Sequence, residues 1–191
     1  MPLEYTNRKG EKYYLHIGAT KTGKPKYFLA LHSRGPLADA VPEGFEIYEN
    51  PNGLVSLRKI LAKLISDEEV GVVERELGRI ARLEGCLVDR KLKVLTVYLV
   101  DRKEDLVREL GLVMPWRLRT NRGFAPPSLW SYDPQLQFLL IDEKKRLFQT
   151  RRYCYLGSID DWMDIGETGP LPKLAKLFIT HLGQESYYEL F

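Results

Sequence analysis

The sequence predicts an α+β fold, an N-terminal antiparallel β module followed by helices and further antiparallel hairpins. Three observations carry this expectation. Residues 12–32 alternate apolar and polar side chains on either side of a glycine-containing turn, the period of half-buried strands. Ser66-Asp-Glu-Glu69 precedes an apolar stripe at helical spacing, the pattern of a capped helix. Later segments return to a period of two, with turn residues between them. A chain of 191 residues, 44% hydrophobic and 29% charged, can bury a core without disulfides or a structural metal. The expected division is a basic antiparallel β module over 1–60 and an α+β body over 61–191, packed as one compact unit.

The first hairpin sets Tyr13, Leu15 and Ile17 on one face, turns at Lys21–Pro25 and returns with Tyr27, Leu29 and Leu31. His16 and His32 fall on the less apolar faces, where they can approach each other. Phe45, Ile47 and Leu54 belong to two short strands around Asn50-Pro-Asn-Gly53, and the Asn-Gly pair signals a hairpin. In the helix that follows, Val70, Val73, Leu77, Ile80 and Ala81 form the apolar face, with Arg75, Arg79 and Arg82 opposite. Cys86–Val88 is expected to pair with Leu92–Val100 across a turn at Asp89–Lys91. Lys103–Leu110 reads as a short amphipathic helix.

Met114–Pro134 has no period. It holds four prolines, two tryptophans and a tyrosine, the composition of a long packed or functional loop. Gln135–Ile141 and Leu147–Tyr155 form a hairpin across Asp142–Lys145. The last helix starts near Pro172, which the first turn tolerates, and ends at Gly183. It buries Leu174, Phe178 and Leu182, and a short final helix carries Tyr187, Tyr188 and Leu190. Thr6-Asn-Arg-Lys-Gly10 is echoed by Thr120-Asn-Arg-Gly123, too short a match to define a repeat.

Charge is uneven along the chain although the formal net charge is only +3. Residues 1–35 hold seven basic and two acidic side chains, and 115–155 hold eight and three. The segments between and after them are acidic. Basic blocks suit an anionic partner, and they can equally pair with the acidic blocks. Cys86 and Cys154 match no metal-ligand spacing and read as small buried side chains of a reduced protein. Met1–Gly10 contains no apolar signal region, and Val94–Val100 is too short to cross a bilayer. A cytoplasmic location with no membrane partner and no cofactor is the expectation.

Gly18-Ala-Thr-Lys-Thr-Gly23-Lys24 matches the outline of a phosphate-binding loop, but Pro25 stands where such a loop needs a hydroxyl for Mg²⁺. Lys26–His32 also alternates like a strand, whereas a phosphate loop opens a helix. Asp160, Asp161 and Asp164 could hold a divalent metal, though a polar turn explains them as well. The arrangement that best unites charge with aromatics lies elsewhere. Arg8, Lys9, Lys12, Lys21, Lys24 and Lys26 surround Tyr14 and Phe28, and Trp116, Arg117, Arg119 and Arg122 repeat the theme beside Phe124. Basic side chains contact phosphates, and aromatic faces stack on unpaired bases.

The segments TNRKGEKYYLH, TKTGKPKYF and FEIYENPNG, with RRYCYLGSIDDW and HLGQESYYELF further on, resemble discontinuous stretches of a group of bacterial proteins to which no activity is attached. The resemblance implies a bacterial source and brings no site or mechanism. Three readings follow from the residues. The first is a non-enzymatic binding module for nucleic acid, and the second a protein-interaction subunit. The third is a metal-dependent enzyme built on the aspartates.

The flawed phosphate loop generates the first prediction. ATP or GTP with Mg²⁺ at millimolar concentration should leave the melting temperature unchanged. A rise of several degrees would show that the loop binds nucleotide after all, because a ligand selective for the folded state must stabilise it.

Overall fold

A computed structural model of the chain describes residues 1–101, 130–156 and 159–190. Met1–Leu61 belongs to one compact unit, and Ala62–Asp101 with the chain from Tyr132 onward to a second. The expected helix at Lys103–Leu110 and residues 114–129 of the aperiodic segment lie outside the described residues.

The regular elements of the first unit among the described residues are strands. Strands β1 (Glu4–Thr6), β2 (Lys12–Ala19) and β3 (Pro25–Ala30) form an antiparallel sheet with β2 in the middle. The expected hairpin is present, with Leu15 opposite Leu29 and Ile17 opposite Tyr27. Strand β1 was not anticipated, being only three residues long with a single half-buried side chain, Tyr5. Strands β4 (Phe45–Glu49) and β5 (Val55–Lys59) make the second hairpin. Leu54 lies in its turn rather than in a strand and is 62% exposed.

Two side chains tie this unit together. Asn7, only 4% exposed, accepts from the Lys9 and Glu11 amides and donates to Glu11 Oε2 and the Gly53 carbonyl. All four bonding sites of a buried amide are therefore used. Gly53 has φ +83°, and a Cβ there would stand 3.2 Å from Asn7 Nδ2. Glu49 receives the Arg8 amide and guanidinium on Oε1 and the Tyr5 hydroxyl on Oε2. Burial pushes its carboxyl upward, but the Arg8 and Tyr5 hydrogen bonds outweigh burial and hold it below the usual carboxylate range.

In the second unit five strands run in the order β10-β9-β8-β7-β6. They are β6 (Leu87–Lys91), β7 (Val94–Asp101), β8 (Ser131–Asp142), β9 (Leu147–Leu156) and β10 (Ile159–Pro170). Helix α1 (Asp67–Gly78) has the full capping box: Ser66 Oγ accepts from the Glu69 amide, and Glu69 accepts from the Ser66 amide. Glu69 also receives Arg146 from the β8–β9 turn, and the same guanidinium bonds the Leu64 carbonyl. Helix α2 (Leu171–Ile179) carries Pro172 in its first turn and buries Leu174 and Phe178. Alternate side chains of the sheet, Leu136, Phe138, Leu140 and Phe148, are at most 2% exposed and share one core with Val73, Leu77 and α2.

Several expectations change here. Helix α1 ends at Gly78, so Ile80 and Ala81 leave its apolar face and lead into a 3-10 turn at Ala81–Leu83. Arg82 is exposed as expected, but it lies beyond the end of α1 and donates to the Thr180 and Leu182 carbonyls after α2. The β6–β7 turn is at Leu92–Lys93, not Asp89–Lys91, because Asp89 and Arg90 are paired in the ladder and Leu92 takes φ +49°. Ser131–Pro134 belongs to β8, and the aspartate-rich segment is a strand, not a turn. Helix α2 stops at Ile179, and Gly183 (φ +72°) ends the turn after it. The short final helix is a 3-10 turn at Glu185–Tyr187. Its Tyr187 hydroxyl donates to the Gln135 carbonyl, and buried Arg152 donates to the Leu190 carbonyl. No helix among the described residues is long and apolar enough to cross a membrane.

Two predictions follow. Glu49 has a lowered folded pKa, so its contribution is full above the ordinary value near 4.5 and is lost as pH falls through the lower folded value. Glu49→Gln should cost about 1 kcal/mol at neutral pH, the low end for a charged hydrogen bond whose partner is partly screened. The difference should shrink as thermal melts are taken from pH 6 to pH 3. A difference that stays constant would assign Glu49 a packing role instead.

The second concerns Gly166, which has φ +65° at the register shift in β10, with Phe178 packed on it. A Cβ would stand 2.6 Å from Phe178 Cζ. Gly166→Ala should therefore cost roughly 2–4 kcal/mol in urea unfolding, from left-handed strain plus overpacking. Adding Phe178→Leu should recover part of that loss. Strict additivity of the two would rule out the contact as its source.

Candidate nucleic-acid interface

The ten basic and aromatic candidates separate into three groups. Arg8, Lys9 and Lys12 are built into the first unit. Arg8 Nε lies 2.6 Å from Glu49 Oε1, and Lys12 Nζ lies 2.8 Å from Glu4 Oε2. The hydrogen bond and charge of Glu4 raise the Lys12 ammonium pKa. Lys9 is half-buried, its methylenes lying against Gly53. Trp116, Arg117, Arg119 and Arg122 lie outside the described residues. Lys21, Lys24 and Lys26 remain, exposed around the tip of the β2–β3 hairpin and in no ion pair with a described residue.

The tip explains why the phosphate-loop outline is a false match. Thr20 N–H donates to the Lys24 carbonyl, Gly23 N–H to the Thr20 carbonyl and Lys24 N–H to Thr20 Oγ1. Gly23 takes φ +79°, and strand β3 starts at Pro25. Three of the amides that would wrap a phosphate, those of Thr20, Gly23 and Lys24, are spent inside the turn, and a strand follows where a helix would be needed to orient a dipole.

Register then places an aromatic beside Lys26. Lys26 is opposite Gly18, and Phe28 is opposite His16, so these four share a sheet face. The Phe28 ring lies 5.1 Å from the His16 ring at an interplanar angle of 10°. It also leans over Gly18, where a Cβ would be 3.8 Å from Phe28 Cε1. Lys26 Nζ is 6.0 Å from the ring centroid. Phe28 is 40% exposed, whereas His16 is 2% exposed. One ring face is thus held by a buried partner while the side chain still reaches solvent.

His16 is fixed in turn. Its Nε2 lies 2.8 Å from the His32 carbonyl oxygen, so Nε2 carries the proton and donates. The two histidine rings meet edge-on at 4.9 Å. His16 therefore acts as a buried support; it does meet His32, but β3 ends at Ala30 and His32 lies beyond it, so the contact comes from the chain after the strand and not from strand pairing. Period-two alternation alone gave no reason to expect His16 to be more buried than Tyr27.

The second unit shows a different surface. On the sheet face away from the helices Gln137 pairs with Arg151, Arg151 with Asp164, and Tyr153 with Trp162. Arg151 Nε lies 2.6 Å from Asp164 Oδ1, and the Tyr153 hydroxyl donates to Asp160 Oδ1 at 2.8 Å. That hydrogen bond, with some burial and the charge of Asp160, pushes the Tyr153 hydroxyl up to about 12. Tyr153 packs 4.5 Å from Tyr155 and 5.0 Å from Trp162. Asp160 and Asp164 are thus bound to neighbouring side chains, and among the described residues no three His, Cys, Asp or Glu side chains converge on a metal position.

Against this geometry, no protein-family model, curated protein or solved structure matches the chain.

Proposed function

We propose that the chain is a nucleic-acid-binding protein that grips single strands with its β2–β3 hairpin. The observation that supports this best is the supported, exposed ring of Phe28 beside Lys26, with Lys21 and Lys24 exposed further toward the hairpin tip, the three lysines being in no ion pair with a described residue. A base can stack on an aromatic that is already immobilised, at little entropic cost, for about 1–3 kcal/mol. Lys26 adjoins that ring, and Lys24 and Lys21 continue from it toward the hairpin tip, a line that suits successive phosphates of one strand. Arg8 and Lys12 are committed to Glu49 and Glu4, so their removal should matter less. Trp116, Arg117, Arg119 and Arg122 stay candidates on the strength of their residue types alone.

A second reading, a protein-interaction subunit, draws on the second unit. Tyr155 is 60% exposed beside Tyr153 and Trp162, and Tyr, Trp and Arg are the side chains that dominate protein interfaces. A metal-dependent enzyme has the least support, since Asp160 and Asp164 serve cross-strand partners.

Fluorescence anisotropy with labelled single- and double-stranded oligonucleotides at low salt tests the first reading. Three lysine–phosphate contacts should give a slope near −2 in log affinity against log salt on single strands. Reversing Lys21, Lys24 and Lys26 to Glu should flatten that slope. Phe28→Ala should weaken binding roughly tenfold or more with the slope retained, with melts confirming that the fold survives. Absence of binding at tens of micromolar protein would remove the reading and leave the protein-interaction subunit in front.

A further inference from the structure

The face of the five-stranded sheet that lies away from the helices holds a second aromatic group. Register places Tyr155 opposite Asp160 and Tyr153 opposite Trp162, so these four side chains share that face. The Tyr153 ring lies 4.5 Å from Tyr155 at 50° and 5.0 Å from Trp162 at 87°. Tyr153 and Trp162 are half-buried, whereas Tyr155 is 60% exposed. Tyr155 is therefore the open end of a packed row, an aromatic surface steadied by its neighbours.

Negative charge flanks that surface on two sides. Strand β9 lies between β8 and β10. Asp160 stands across from Tyr155 on β10. On β8, Tyr132 and Leu136 are buried in the core, so the exposed Asp133 belongs to the opposite, outer set of alternate residues. Burial, then the charges of Asp133 and Asp160, raise the Tyr155 hydroxyl pKa, so both carboxylates act on this side chain. Asp160 Oδ1 accepts the Tyr153 hydroxyl at 2.8 Å, but a neutral donor leaves the carboxylate its charge and further acceptor sites. Asp133 is in no ion pair with a described residue. Arg151, on the same face, is paired with Asp164 at 2.6 Å. Together these side chains are aromatic and carry net negative charge.

A cation suits both components, since aromatic faces and carboxylates each attract positive charge. The form of the cation follows from the layout. An ammonium is a compact point charge, whereas a guanidinium is planar, lies flat on a ring and carries donors on opposite edges. Neighbouring strands are about 5 Å apart, so a guanidinium over Tyr155 has a carboxylate-bearing strand at that distance on either side. Tyr155 is too exposed to enclose a free small cation, and the group must therefore be carried by a longer chain.

We propose that this face docks an arginine side chain of a partner polypeptide, its guanidinium stacked on Tyr155 between Asp133 and Asp160. The proposal rests on the protein-interaction reading of the second unit and names the side chain that the unit recognises. It is independent of the lysines of the β2–β3 hairpin, which belong to the first unit.

The probes are two octapeptides labelled with an uncharged dye, one repeating alanine–arginine and the other alanine–lysine. Each is titrated with the full chain at low salt and read by anisotropy. The arginine peptide should bind roughly fivefold or more tightly than the lysine peptide, although their charges are equal. Tyr155→Leu should abolish that preference. Tyr155→Phe should keep it, because the ring and not the hydroxyl makes the contact. Asp133→Asn, an isosteric change at an exposed position, should weaken both peptides about threefold, with melts confirming that each variant is folded. Arginine methyl ester at the peptide's concentration should not compete. Equal binding of the two peptides, or a Tyr155→Leu protein that still prefers arginine, would overturn the proposal and leave the protein-interaction reading standing. Competition by the methyl ester as strong as that of unlabelled peptide would overturn it in favour of a small cation. Failure of both peptides to bind at millimolar concentration would remove the proposal and, with it, the interaction reading of this face.

Discussion

The second unit depends on keeping one face of a five-stranded meander dry. Phe138 and Phe148 are fully buried on that face, with Leu136, Leu140 and Ile165 beside them. Burial of each such side chain contributes about 1.5–3 kcal/mol, and both helices are recruited to it. Helix α2 is positioned through Phe178 on Gly166, where the irregularity in β10 removes a side chain and lets the ring come close. Helix α1 is held at its start through Glu69, which closes the capping box and also binds Arg146. The opposite face has no such duty. It is free to carry Gln137, Gln149, Arg151, Tyr153, Tyr155 and Trp162.

Among the described residues of the first unit the buried apolar side chains are few, Tyr13, Leu15 and Val55. Polar side chains with complete bonding take up much of the task. Asn7 and Glu49 each gather contacts that reach from the β1–β2 turn to the β4–β5 hairpin. An unsatisfied group in either place would cost more than its bonds contribute, because desolvation is then uncompensated. This also decides which cations remain available. A count of basic residues in 1–35 overstates the anion-binding surface, since Arg8 and Lys12 are neutralised at short range.

What could be read from the sequence depended on whether its physical cause was local. The Ser66–Glu69 capping box, the turn before Pro25 and the hairpin around Asn50–Gly53 arise from residues within a few positions of each other, and they are present as expected. Glu69 meeting Arg146, 77 residues away, and Arg82 meeting Leu182, 100 residues away, have no local signature. Strand β10 was hidden for another reason. An edge strand carries charges that discourage further pairing, so its alternation of Asp160, Trp162 and Asp164 with Asp161, Met163 and Ile165 read as a polar turn. The candidate site was legible as a composition, lysines with Phe28, but not as a geometry. That His16 would be the buried support for Phe28 required the β2–β3 register.

The candidate site asks little of its glycine and much of its histidine. A Cβ at Gly18 would meet Phe28 Cε1 at 3.8 Å, an ordinary contact, so the place of the ring over the sheet does not depend on a missing side chain. It depends on His16, which is buried, donates through Nε2 to the His32 carbonyl and stacks 5.1 Å from the Phe28 ring. An aromatic ordered before its ligand arrives has less conformational freedom left to lose on binding.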